Sequence, residues 1–127
     1  MIYKRKDKKK EKEVIKILKK LLKSNPKIKR KVKNIKNIYK KLYYTIVWVV
    51  SENQPLHTLS NFKRRGWKKY HLDHIYPISK GYQNEIPPEK IGNIKNLRFI
   101  YYKKNIKKGS NITNESRLAL RRIKKLK

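Results

Sequence analysis

Apolar residues recur along the first half of the chain at helical intervals. Val14, Ile15, Leu18, Leu21 and Leu22 fall one turn apart with lysines between them, and Ser24-Asn25-Pro26 closes the segment, which predicts an amphipathic basic helix. Beyond it Val32, Ile35, Tyr39, Leu42, Ile46 and Val49 alternate steps of three and four, a period that no strand produces. One long second helix is therefore expected from residue 27 to about residue 51. Its last turns, Thr45 to Val50, are β-branched enough to form a strand on their own, and Pro55 ends the element in either conformation.

The pattern then changes. Residues 51–68 carry Pro55, Gly66 and scattered polar positions, as a loop with one short turn would. Tyr70 to Ile75 alternates like a strand, and Leu97 to Tyr101 reads as a second. Between them Gly81, Asn84, Pro87, Pro88, Gly92 and Asn93 suit a non-repetitive connection. A helix from about Tyr102 to Lys108, stopped by Gly109, completes a ββα unit. Ala119, Ile123 and Leu126 mark a last basic helix from about Asn114 to Lys127. The expected fold is α+β, with a ββα core over 55–112, a basic helical region over 1–54 and a basic helix over 113–127, all within one compact domain.

Charge adds the class of partner. Lys and Arg number 38 against 8 Asp and Glu, a net charge of +30, and so large an excess of one sign costs self-repulsion that a polyanion relieves. The lysine runs 4–12 and 19–36 are therefore read as phosphate-contacting. Leu, Ile, Val and Phe still supply 34 of the 127 residues, enough for a folded core. With no Cys there is no disulfide, no zinc knuckle and no thiol nucleophile. The longest apolar run, Ile46 to Val50, is far too short for a membrane span, and no secretory leader is recognisable, so the expected location is the cytoplasm of a prokaryotic host, with phage encoding in keeping.

The chain holds only two Asp, and Asp73 stands beside His74. A carboxylate is a hard ligand for a divalent cation, and an imidazole is a base that titrates near neutral pH. Those are the two requirements of metal-assisted phosphodiester hydrolysis. Neighbours on a strand face opposite ways, so the pair needs a returning helix to complete a site. Asn105 and, three residues on, Lys108 share one face of the expected helix, where an amide oxygen could meet a metal and an ammonium a phosphate.

Leu72-Asp73-His74-Ile75-Tyr76-Pro77, then Asn96-Leu97, then Asn105-Ile106-Lys107-Lys108-Gly109 together resemble the HNH, or ββα-metal, endonucleases, in the variant whose third signature residue is Asn. The likeness is to small phage-type and free-standing homing-type members, and it covers about residues 55–111. It implies that Asp73 and Asn105 hold one Mg2+ or Mn2+, that His74 is the general base, and that Asn96 completes the catalytic set by tying the loop that orients the His74 ring. DNA would be the substrate, cut to 5′-phosphate and 3′-hydroxyl ends by a monomer that nicks or a homodimer that breaks both strands. Lys108 and Arg98 are candidate DNA-phosphate contacts. Many members staple this loop with Cys-x-x-Cys zinc pairs; here no structural zinc is expected, and Ile78, Ile86, Ile91, Ile94 and Phe99 packed on the first helices would replace it.

Each residue also has a plainer reading. Asp73 could be an ion-pair partner among lysines, Asn105 a surface residue, and Trp67, Tyr70, Tyr101 and Tyr102 core aromatics rather than base-stacking ones. His71, on the same strand face as Asp73, reads as structural, and neither it nor His57 is placed in the catalytic set. The rival class is a non-catalytic basic nucleic-acid-binding protein, which composition alone favours; a membrane-surface peptide fits only the first helix. For an HNH base near the reference imidazole value, cleavage would rise between about pH 6 and 7.5, with the midpoint at or below that value.

Overall fold

The computed structural model describes residues 29–126 together with residues 9, 10, 12, 13, 16, 17 and 20. Those seven are helical, while Val14, Ile15, Leu18, Leu21 and Leu22, the apolar face of the expected first helix, lie outside the described residues. The long helix α1 runs Lys29–Glu52, and 3-10 turns follow at Leu56–Thr58 and Phe62–Arg64. Strand β1 (Tyr70–His74), helices α2 (Ile78–Gln83) and α3 (Pro88–Ile91), a 3-10 turn (Ile94–Asn96), strand β2 (Leu97–Tyr101) and helices α4 (Tyr102–Lys108) and α5 (Asn114–Lys124) complete an α+β fold. Among the described residues no helix is long and apolar enough to cross a membrane.

The β-branched run Thr45–Val50 is helical because its apolar side chains serve a helix-spaced core. Tyr43, Ile46 and Val47 of α1 are buried against Tyr76, Tyr82, Ile91 and Ile123. A strict alternation of threes and fours put Val49 in this seam, yet Val49 is 56% exposed and Val50 packs inward instead. A straight helix turns once every 3.6 residues, so its buried stripe drifts away from a 3.5-residue pattern.

The two strands pair antiparallel, with Asp73 opposite Arg98 and His74 opposite Leu97. Leu72, Leu97 and Phe99 close over Leu56, with Leu59, Tyr70 and Ile94 at the edge, to make a second cluster beneath the 3-10 turns. The isoleucines and Phe99 therefore divide. Ile78, Ile86 and Ile91 pack on α1, whereas Ile94 and Phe99 belong to the second cluster.

The connection between the strands is not the non-repetitive loop its Gly and Pro content suggested. Two short helices interrupt it, and the second begins at Pro88, in a first turn where a fixed φ is already helical and no N–H is needed. Gly109, at φ 54°, stops α4 as expected, and the Thr113 hydroxyl caps α5 by accepting from the Ser116 N–H at 3.1 Å.

The loop meets α1 at Gly92. A Cβ there would lie 2.8 Å from the Val47 carbonyl oxygen and 3.0 Å from the Val50 Cβ, and the first of these neighbours is backbone that cannot rotate away. Gly92→Ala should therefore destabilise the protein by about 1–3 kcal/mol, read as a lower urea midpoint at unchanged slope. An unchanged midpoint would mean that α1 and α3 are not in this contact in solution.

Candidate functional site at the end of the first strand

At the end of β1 the Ile75 N–H still donates to the Asn96 carbonyl at 2.8 Å, and three successive carbonyl groups, those of His74, Ile75 and Tyr76, accept from side chains. Each is taken by a different element. The Lys108 ammonium of α4 donates to the His74 carbonyl at 2.8 Å, and the Ser116 hydroxyl of α5 donates to the Ile75 carbonyl at 2.7 Å. Asn96 clasps the third residue from both sides: its Oδ1 accepts from the Tyr76 N–H at 2.7 Å, and its Nδ2 donates to the Tyr76 carbonyl at 3.1 Å and the Ile91 carbonyl at 2.8 Å. Asn96 is fully buried, as a residue that ties a loop must be.

The hydrogen bonds of the Asn96 side chain go to Tyr76 and Ile91, and none goes to the His74 ring. Ser51, the last buried residue of α1, holds it instead, with Oγ 2.7 Å from Nε2. The Ser51 hydroxyl donates its one proton to the Val47 carbonyl at 2.7 Å, so toward His74 it accepts. Nε2 therefore carries the hydrogen, and Nδ1 keeps the lone pair. Trp48 stands edge-on to the ring with centroids 4.8 Å apart. Burial pushes the His74 pKa down to about 4, and Lys108 lowers it further against the opposing pull of Asp73 and Glu52. The direction is the one expected, but its chief cause is burial. The ring is neutral across the range where an ordinary imidazole titrates.

Asp73 is as buried as His74. Its Oδ1 accepts from Lys108 at 2.8 Å and its Oδ2 from the Arg98 Nε at 2.9 Å, and Arg98 also pairs with Glu115 of α5. The plainer reading of Asp73 as an ion-pair partner is thus part of its structure. Of the two candidate phosphate contacts, Lys108 is only 8% exposed at the side chain and uses two of its three N–H donors internally. Arg98 is 29% exposed and bridges two carboxylates.

Asp73, His74, Asn105 and Lys108 line one cleft of about 270 Å3, whose rim includes Trp48 and Gly109. The structure thus brings Asp73, His74, Asn105 and Lys108 to one opening, with Asn96 behind it and Arg98 on the far side of Asp73. No three His, Cys, Asp or Glu side chains converge among the described residues. Asp73 and Asn105 are nonetheless hard oxygen donors of the kind that suits Mg2+, which keeps much of its water and shares its coordination with substrate phosphates. The Lys108 ammonium, set between two oxygens, shows that this corner accommodates positive charge.

The sequence pattern missed Ser51 and Trp48. Ser51 carried a signal, since a Ser one turn after Val47 and two turns after Tyr43 interrupts a buried apolar stripe and needs a polar partner. No protein-family model matches the chain, and no curated protein or solved structure matches it.

The unfolded chain takes up a proton on His74 near pH 6.5, and the folded chain does not until about pH 4. Stability present above pH 6.5 should therefore be lost as pH falls toward 4, by an amount on the order of 3 kcal/mol. Urea titrations of wild type and His74→Gln at several pH values check this, and parallel curves would show that His74 is not buried neutral. Asp73→Ala should cost about 3 kcal/mol by stranding the buried Lys108 charge, whereas the double variant Asp73→Ala with Lys108→Met should recover part of it.

Proposed function

We propose that this chain is a metal-dependent DNA endonuclease of the HNH, or ββα-metal, type, acting on DNA as a nicking or homing-type enzyme. The observation that carries the reading is a buried, neutral histidine whose tautomer is set by Ser51, beside a carboxylate, in a cleft that Asn105 and Lys108 also line. A charge-only binder needs positive surface and has no use for this arrangement.

The residues divide the work. His74 Nδ1 takes a proton from water as its oxygen attacks phosphorus, the P–O3′ bond breaks, and the departing 3′ oxygen takes a proton from solvent, so that the ends left are a 5′-phosphate and a 3′-hydroxyl. Ser51 keeps the ring in the tautomer that can accept that proton. Lys108 has one N–H left for a phosphate oxygen, and Asp73 fixes the ammonium's position. Asn96 and Ser116 hold the backbone on which His74 rides. A divalent cation held by Asp73 and Asn105 would neutralise charge on the phosphate and acidify the attacking water. The lysine-rich segments would supply sequence-independent phosphate contacts.

One observation favours the rival, a non-catalytic basic nucleic-acid-binding protein: both Asp73 oxygens are already paired with cations of the chain. The two readings part in one assay. A nuclease converts supercoiled plasmid to open circle with Mg2+ and not with EDTA, and a binder does neither.

His74→Ala should lower single-turnover nicking by about 10²–10⁴-fold while leaving DNA affinity in EDTA unchanged. Ser51→Ala, which frees the tautomer without removing the base, should give a smaller loss in rate with affinity intact. Because His74 is neutral well below neutral pH, the wild-type profile should lack the limb between pH 6 and 7.5 that an unperturbed imidazole gives. Wild-type nicking by His74→Ala would remove His74 from the chemistry.

A further inference from the structure

A second cleft, of about 460 Å3, adjoins the first and shares Trp48, Leu72 and Asn105 with it. Its walls include Trp67, Tyr70, His71 and Arg65. The catalytic reading uses none of these four. Trp67 is 81% exposed and Trp48 40%, and neither belongs to a core cluster. The chain has two tryptophans, and both stand open to solvent at this one cleft. Burial elsewhere would have stabilised the fold more, so their placement asks for a flat aromatic partner.

The local backbone keeps Trp67 outward. Gly66 and Tyr70 are joined by a turn in which the Gly66 N–H donates to the Tyr70 carbonyl at 3.1 Å, and Lys68 inside it takes φ 48°, a left-handed conformation that a lysine adopts only under constraint. The Lys68 ammonium lies 4.7 Å from the centre of the Trp67 ring. A cation over an aromatic face is a pairing that a nucleotide can replace on both sides, its base on the ring and its phosphate on the ammonium.

We propose that this cleft holds a nucleobase unstacked from the strand whose phosphate lies at His74 and Asn105, so that the chain acts on single-stranded or locally opened DNA in preference to intact duplex. The inference rests on the endonuclease reading for the identity of the neighbouring cleft. A π-face is the feature that every base shares and that a closed duplex hides within its stack. Lys68 supplies the complementary charge, while Arg65, paired with Glu52 through contacts of 2.6 and 3.0 Å, forms part of the wall.

Binding in EDTA tests the cleft without cleavage. Fluorescence anisotropy would compare a short oligothymidylate, an abasic strand of equal length and a closed duplex. Wild type should prefer the oligothymidylate to the abasic strand, and Trp67→Ala should weaken oligothymidylate binding by roughly 5-fold to 100-fold while leaving the other two unchanged. Trp67→Phe, which keeps a stacking face, should restore most of the affinity. Equal wild-type binding of thymidylate and abasic strands, or an equal loss on all three ligands in Trp67→Ala, would overturn the proposal. Plasmid nicking is read separately, so a chain that stacks bases without cutting would refute the nuclease reading alone, and one that cuts without stacking would refute the cleft alone.

Discussion

Three carbonyl groups at the end of β1 govern the architecture around the candidate site. The oxygens of His74, Ile75 and Tyr76 each take a side-chain donor, and a buried carbonyl left without one costs on the order of 1–3 kcal/mol. Lys108, Ser116 and Asn96 supply those donors from α4, α5 and the turn before β2. Three otherwise separate elements are thereby fixed to one point of the chain, and that point carries His74. The positions of Asn105 and Gly109 follow from it, since α4 is placed by Lys108. A site assembled in this way is only as well defined as the chain that exits the strand, whose backbone is bonded by side chains of α1, α4, α5 and Asn96.

Electrostatics at the same place are balanced between holding the fold and leaving chemistry open. A carboxylate buried as deeply as Asp73 could not stay charged alone, and Lys108 and Arg98 allow it to do so. The desolvation that makes those pairs necessary also strips the proton from His74. Neutral imidazole beside paired carboxylate is thus one consequence of burial rather than two separate adjustments. Ser51 completes it: with its own proton committed to Val47, it permits one tautomer of the ring.

Most of the frame was legible in the sequence, because period and punctuation are local. The strands over Tyr70–His74 and Leu97–Tyr101, the helix stopped at Gly109 and the end of α1 just before Pro55 all came from residues within a few positions of one another. The two short helices between the strands were not legible, since Gly and Pro mark breaks and first turns alike and only the tertiary position of Pro88 decides between them. Within the candidate site, the residues that share a cleft were read from their spacing together with the family resemblance, on which Asn105 depended. The partners of Asp73 and of the His74 ring were not, because Arg98 and Ser51 reach them across 25 and 23 residues. Long-range pairing of that kind depends on register and helix phase, which no local pattern records.

The few acidic residues of so basic a chain stand where its elements meet. Of 8 acidic residues, Glu52, Asp73, Glu85 and Glu115 are each paired with a cation distant in sequence: Arg65, Lys108 and Arg98, Lys12, and Arg98 respectively. The pairs at the surface are worth about 1 kcal/mol or less apiece, too little to hold the fold, so cohesion comes from the two apolar clusters. What the pairs do is choose which elements meet, each acid drawing one of many available cations to a junction. Nearly all the remaining basic residues are left uncompensated, and their mutual repulsion opposes compaction most strongly at low ionic strength. A polyanion bound to that surface removes the repulsion and, by binding the folded chain in preference to the unfolded, adds to its stability. On the proposed reading, the charge that would select DNA is also the charge that would make its binding stabilising.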